Sequence, residues 1–312
     1  MTQIRQRDAH ITKLAVQPAS LGEDAYTGKT VLVTGASGQV GLNIVGIALA
    51  RGARVIGLYN RNAVDFTHPR LTWVHADLAS LDSFPSPSAD VLIHTAPIWL
   101  LPAKLYRFAN GGIKRVIAFS STSIVGKRDT TSTAEQAVVQ SLVTAEERLR
   151  RIAEDVGIQL TLLRPTMIYG MGFDGNISRM ARTIRKLGFL PIYNPASGLR
   201  QPVQARDLAE AALTVWQNPK TFGKTYNLAG NEVLTYRQMV ERLFVHLGMK
   251  PRLVSLPFLP QVLDFLIACL PFAHINGDVA RRMNRDLAFD NGPAREDFGY
   301  SPHGFLEGDV TI

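Results

Sequence analysis

Cysteine is almost missing from this chain: a single residue, Cys269, stands among 312. One thiol excludes an intramolecular disulfide framework and suits a reducing compartment, so a cytoplasmic location is expected. Zinc-ligand spacing, an aromatic-and-basic RNA signature and long runs of like charge are also absent. No metal site and no nucleic-acid partner are therefore expected. No uninterrupted apolar run is long enough to span a bilayer. The longest, residues 258–272, is broken by Pro260 and Asp264 and reads as a buried or lid helix, with contact to a membrane surface as the alternative. The first twenty residues carry charges where a secretory signal would carry an apolar block. Residues 1–28 are read as a polar extension ahead of the fold, and no export is expected. Internal repeats and low-complexity tracts are absent as well.

What is present is an ordinary globular composition, with 46% hydrophobic residues and a formal net charge of +8. The positive balance favours an anionic small molecule as partner and leaves a homodimer open. Five short runs rich in β-branched residues lie at 30–34, 54–59, 71–75, 90–95 and 115–120, with helix-like segments between several of them. A sixth, 159–163, follows a long helix. This alternation predicts an α/β fold, a Rossmann-type doubly wound parallel sheet with a smaller C-terminal substrate-side region. The expected organisation is a dinucleotide-binding domain over 29–170 and a mostly substrate-side region over 171–312, with about 201–230 returning to the first.

Several helix signals are local. Ser132 and Glu135 have the spacing of a capping box before Val138, Leu142, Ala145, Leu149, Ile152 and Val156, and Gly157 ends that helix. Thr235 and Gln238 form a second capping box, and Asp207 is placed to cap a helix over 208–216. A basic helix is expected around Arg179, Arg182 and Arg185.

The segment VLVTGASGQVGLNIVGIALARG places Gly35, Gly38 and Gly41 between a strand and an amphipathic helix. Glycines there allow a tight turn and close approach of a pyrophosphate, while the helix N-terminus offers unpaired N–H groups. The alternative is a glycine turn kept for packing alone. After the second strand the chain reads Tyr59, Asn60, Arg61, Asn62, without the acid that would accept from the ribose hydroxyls of NAD. Arg61 could instead pair with a 2′-phosphate, which favours NADP over NAD; a solvated arginine is the other reading.

Together, TGASGQVG, HADL, VLIHTAP, GIKRVIAFSSTSIVG, LLRPTMIYG, RQPVQARDLAEA, YNLAG and AREDFGYSPHGF make the chain resemble the extended short-chain dehydrogenase/reductase superfamily. The closest branch is the NAD(P)-dependent sugar-nucleotide epimerase/dehydratases. The resemblance implies that Gly35, Ser37, Gly38, Gln39, Val40 and Gly41 line the pyrophosphate turn. It puts Asp77 and Leu78 near adenine, Thr95, Ala96 and Pro97 beside the ribose, and Pro165 and Tyr169 beside the nicotinamide. Ser121 matches the residue that hydrogen-bonds a substrate oxygen, with Thr122 beside it.

That branch also uses a Tyr-x-x-x-Lys pair, in which the lysine lowers the tyrosine pKa for proton transfer. No tyrosine lies between Tyr106 and Tyr169, and none in the chain is followed by lysine four residues on. The aligned positions carry Val138 with Leu142, or Val139 with Val143. Replacement acid/base candidates are Tyr169, Glu135 and His94. Arg179, Arg182 and Arg185, and likewise Arg281, Arg282 and Arg285, either meet a substrate diphosphate or are solvated. The functional expectation is an epimerase/dehydratase-like protein with an unconventional acid/base, or else a catalytically silent dinucleotide-binding sensor or assembly subunit.

Overall fold

The computed structural model describes residues 8, 10–13, 25–62, 64–80, 87–258, 260–262 and 277–312. Most of the apolar run at 258–272, including Cys269, lies outside the described residues. Strands β1 (Thr30–Thr34), β2 (Arg54–Tyr59), β3 (Leu71–His75), β4 (Val91–His94), β5 (Arg115–Phe119) and β6 (Gln159–Pro165) fall where the β-branched runs predict them. A seventh, β7 (Thr225–Leu228), completes one sheet in the order β7-β6-β5-β4-β1-β2-β3. Every pairing in that sheet is parallel.

Side chains alternate across each strand, so the sheet divides two cores. Val31 and Val33 of β1 point into a cluster with Val40 and Ile44 of α1 (Gln39–Ala50). Leu32 points the other way, into a cluster with Leu105 of α2 (Pro102–Asn110) and Leu142 and Leu149 of α3 (Thr133–Val156). A third cluster collects Tyr169, Ile184 of α4 (Ile177–Leu187), Leu243 of α6 (Tyr236–His246) and Phe305. Helix α5 (Ala205–Trp216) belongs to the first cluster, through Leu208 and Ala212.

Three local expectations change. Helix α5 begins at Ala205 with no side-chain cap, and Asp207 lies inside its first turn. Asp207 accepts instead from the backbone N–H of His303 at 3.0 Å and meets its Nδ1 at 2.6 Å. The box at Ser132 is half formed: Ser132 accepts from Glu135 N–H, while the Glu135 carboxylate turns away. The segment ahead of β1 is not simply appended to the fold, because Ile11 is fully buried in the first cluster. The Thr235–Gln238 box is complete, and Gly157 ends α3 in the left-handed conformation (φ 67°).

Arg115 shows how the sheet tolerates a buried cation. Its guanidinium donates to the carbonyls of Trp216, Val215 and Gln159 and to the hydroxyls of Thr161 and Thr221. Burial lowers its pKa to about 10. Neutral acceptors at the base of β5, β6 and α5 thus replace water around it.

Candidate functional site

Parallel registry sets the ends of β1, β4, β5 and β6 side by side. Thr34 pairs with His94, His94 with Ala118, and Phe119 with Leu163. Ligands of such sheets bind outside these carboxyl ends, where β1 neighbours both β2 and β4.

The turn after β1 is built to bring backbone close. Gly35 has φ +71°, and a Cβ there would lie 2.6 Å from the backbone N of Ala96. Gly38 is the N-cap of α1 and supplies no side-chain cap, so the first amides of that helix point outward unpaired by one. A Cβ on Gly41 would press on the Gly35 carbonyl and approach Ala36 Cα to 2.8 Å. Ser37 and Val40 are buried within the turn. Gln39 Oε1 is also buried and has no hydrogen-bond partner among the described residues. A cradle that excludes side chains, with the first amides of an uncapped helix beside it, fits a bound pyrophosphate.

Thr95 braces the turn from the neighbouring strand, its hydroxyl lying 2.8 Å from Thr34 O and 3.1 Å from Gly35 O. Ala96 is half-buried and Pro97 exposed beside it. Past the exit of β2, Asn60 Nδ2 donates to Asp77 Oδ1 at 3.1 Å, and Asp77 also accepts from Ala79 N–H. Leu78 is buried, and Arg61 is exposed and makes no ion pair among the described residues.

Ser121 follows β5 at the carboxyl edge, half-buried; its hydroxyl donates to Ser123 Oγ at 3.0 Å and accepts from Ser123 N–H. The Pro165 carbonyl accepts from both the amide and the hydroxyl of Thr122, which ties β6 to the strand-5 exit.

The three replacement acid/base candidates are each engaged. His94 is fully buried between the Thr34 hydroxyl (2.6 Å from Nδ1) and the Pro97 carbonyl (3.2 Å from Nε2). Burial lowers its pKa to about 4, so the ring is neutral at physiological pH. Tyr169 is fully buried, with Leu306 N–H donating to its hydroxyl at 2.9 Å and its own proton directed at Gly304 O at 3.4 Å. Burial raises its pKa well above the ordinary value.

Glu135 meets Lys127 at 2.9 Å and receives a two-pronged contact from Arg282, at 2.7 and 3.0 Å. Burial opposes its ionisation, but hydrogen bonds from Lys127, Thr130 and Arg282 hold its pKa below the usual value. The Thr130 hydroxyl lies between Glu135 and Asp278, at 2.7 and 2.9 Å. Asp278 also pairs with Arg281, and Arg285 with Asp129. Arg282 and Arg285 therefore clamp the start of α3 and the turn ahead of it to the C-terminal segment, while Arg281 pairs within its own segment. No spacing in the sequence announces this clamp, because its partners are about 150 positions apart. On α4, Arg182 Nε donates to Ser178 O and Arg185 to Ile312 O, while Arg179 is exposed.

Among the described residues no helix is long and apolar enough to cross a membrane, and no cluster of three or more His, Cys, Asp or Glu could hold a metal ion.

Comparison with known proteins agrees with this geometry. UDP-glucose 4-epimerase of Vibrio cholerae is 24% identical over 306 residues, covering 88% of this chain and 91% of that protein. The mitochondrial NADH dehydrogenase (ubiquinone) 1 alpha subcomplex subunit 9 of Arabidopsis thaliana is 28% identical over 182 residues, 54% of this chain and 41% of that one. The crystal structure of UDP-glucuronic acid 4-epimerase from Bacillus cereus in complex with NAD superposes with a TM-score of 0.67 at 16% identity, covering 88% of this chain and 92% of that one. Residues 31–99 and 99–229 match the NAD dependent epimerase/dehydratase family, and the chain belongs to it.

Proposed function

We propose that this protein binds a nicotinamide dinucleotide, NADP in preference to NAD, and that its task is carried by dinucleotide occupancy rather than by the proton relay of its enzymatic relatives. The observation that carries the binding is the turn at Gly35, Gly38 and Gly41, where backbone crowding that excludes side chains and the uncapped amides of the α1 N-terminus leave a place for linked phosphates. Arg61 supports the choice of NADP: it is exposed at the exit of β2, where its guanidinium could pair with a 2′-phosphate. When bound, the nicotinamide supplies a hydride donor or acceptor.

Hydride exchange with an alcohol also needs a group that takes up the hydroxyl proton. His94, Tyr169 and Glu135 are each held in bonds of the fold. This favours a sensor or an assembly subunit, a role in keeping with the partial likeness to a respiratory-chain subunit. A second reading is supported by the relative that spans most of the chain, a UDP-glucose 4-epimerase. In it, Ser121 would orient a sugar-nucleotide-like anion at the carboxyl edge, and an unconventional acid/base would complete the reaction.

Titration calorimetry with NADPH and NADH tests the first reading. NADPH should bind more tightly than NADH, and Arg61→Ala should weaken NADPH by about tenfold, the worth of one exposed charge-assisted contact, while sparing NADH. Absence of heat with either nucleotide overturns the binding; equal loss for both overturns the preference. Turnover of a UDP-sugar by the purified protein would replace the occupancy role with the second reading.

A further inference from the structure

We infer that residues 8 and 10–13 are a positioning element of the dinucleotide site, in which His10 and Asp8 hold the first turn of α1 and the loop leaving β2 in their binding arrangement; this rests on the dinucleotide reading above. Ile11 anchors the element, with no exposed surface, in the same apolar cluster as Val40 and Ile44 of α1. From that anchor two polar contacts diverge. His10 Nε2 lies 3.1 Å from Asn43 Oδ1, and Asn43 Nδ2 donates to the Gln39 carbonyl at 2.7 Å. Because the Asn43 amide nitrogen is spent on Gln39, its oxygen accepts and His10 donates.

Asn43 is 1% exposed in the middle of a helix, a place where asparagine is a poor choice unless its side chain has a fixed job. The chain His10–Asn43–Gln39 ends at the residue whose Oε1 is left unpaired in the turn.

The second contact reaches the opposite wall. Asp8 Oδ1 accepts from the backbone N–H of Asp65 at 3.1 Å, on the loop that runs on from Asn60 and Arg61. Thr12 Oγ1 donates to the Asp8 carbonyl at 2.8 Å, which keeps Asp8 and His10 in one helical turn, and Lys13 pairs with Asp309. A single short segment therefore ties together the start of α1, the β2 exit and the C-terminal stretch. The first two of these are the walls between which the adenosine and phosphate half of a dinucleotide lies. With the walls set beforehand, less ordering is left to the ligand, and affinity rises.

The test is calorimetry of NADPH binding to the full-length wild type and to His10→Leu, Asp8→Ala and His10→Gln, with the unfolding midpoint of each measured without nucleotide. His10→Leu and Asp8→Ala should each raise Kd about two- to tenfold, the range of one hydrogen bond. His10→Gln, which still presents an N–H donor, should recover most of the affinity; a segment that only adds stability would not separate glutamine from leucine. Hydrogen exchange should show added protection at residues 10–13 and 65 when NADPH binds. If the wild type gives no heat, the dinucleotide reading falls and this inference with it. If the wild type binds and the variants match it, the positioning role falls alone.

Discussion

Gly41→Ala sets two effects of opposite sign against each other. Inside a helix, alanine is favoured over glycine by about 1 kcal/mol, so on propensity alone the change stabilises α1. The new Cβ, however, would press on the Gly35 carbonyl and lie 2.8 Å from Ala36 Cα and 2.9 Å from Ala36 C. All three neighbours are backbone, so no side chain can rotate away, and the turn has to move. Overpacking of this kind costs about 1–3 kcal/mol, which leaves a net loss of roughly 0–2 kcal/mol after the propensity gain. For a chain of this size that lowers Tm by at most about 3 °C. Binding should suffer more than stability, because the displaced atoms carry the amides that face the phosphates. Losing one such charge-assisted bond is worth about 1.5–3 kcal/mol, or roughly 10- to 150-fold in Kd for NADPH. Gly175→Ala is the control: its Cβ would meet only the end of the Arg179 side chain, at 3.8 Å. Thermal unfolding and calorimetry read both effects. A Gly41→Ala protein with unchanged or raised Tm and wild-type NADPH affinity would refute the account of the turn.

Three further outcomes follow from the buried groups. Tyr169→Phe should lose about 1 kcal/mol in denaturant unfolding, because Leu306 N–H and Gly304 O lose their partner, and should keep NADPH affinity; a collapse of nucleotide binding would return Tyr169 to the site. His94 has a folded pKa of about 4 against an ordinary 6.5, so the unfolded chain takes up the proton first. Its contribution is intact above pH 6.5 and drains away as the pH falls toward 4, by about 3 kcal/mol, and His94→Asn should flatten that part of the stability profile. Glu135→Ala strands Arg282 and Lys127 and should cost about 1–3 kcal/mol without changing NADPH affinity, measured by urea titration and calorimetry.

The legible parts of this protein are the periodic ones. Six β-branched runs mark six strands, and the Thr235–Gln238 pair marks a helix start, because local chemistry decides them. The glycine turn is legible for the same reason: strand, three glycines and helix are contiguous. Asp207 was misread because its carboxylate is drawn to His303, nearly a hundred positions away, in preference to its own helix. Glu135 left its capping box for Lys127 and Arg282, since two cations outbid one backbone amide. Strand β7, only four residues long, carries little pattern of its own and owes its place to β6. Docking of residue 11 was equally silent, as one isoleucine in a polar stretch has no period to detect.

The last strand has a consequence for how the molecule can be divided. Leu162 and Arg164 of β6 lie in register with Thr225 and Asn227, contributed from far downstream. A fragment cut after residue 170 would bare that margin as a row of unsatisfied peptide groups, an invitation to stack with its own copies. The two halves of the chain are thus inseparable parts of one folding unit, and natural or engineered shuffling could not transplant the nucleotide-binding half without carrying β7 along.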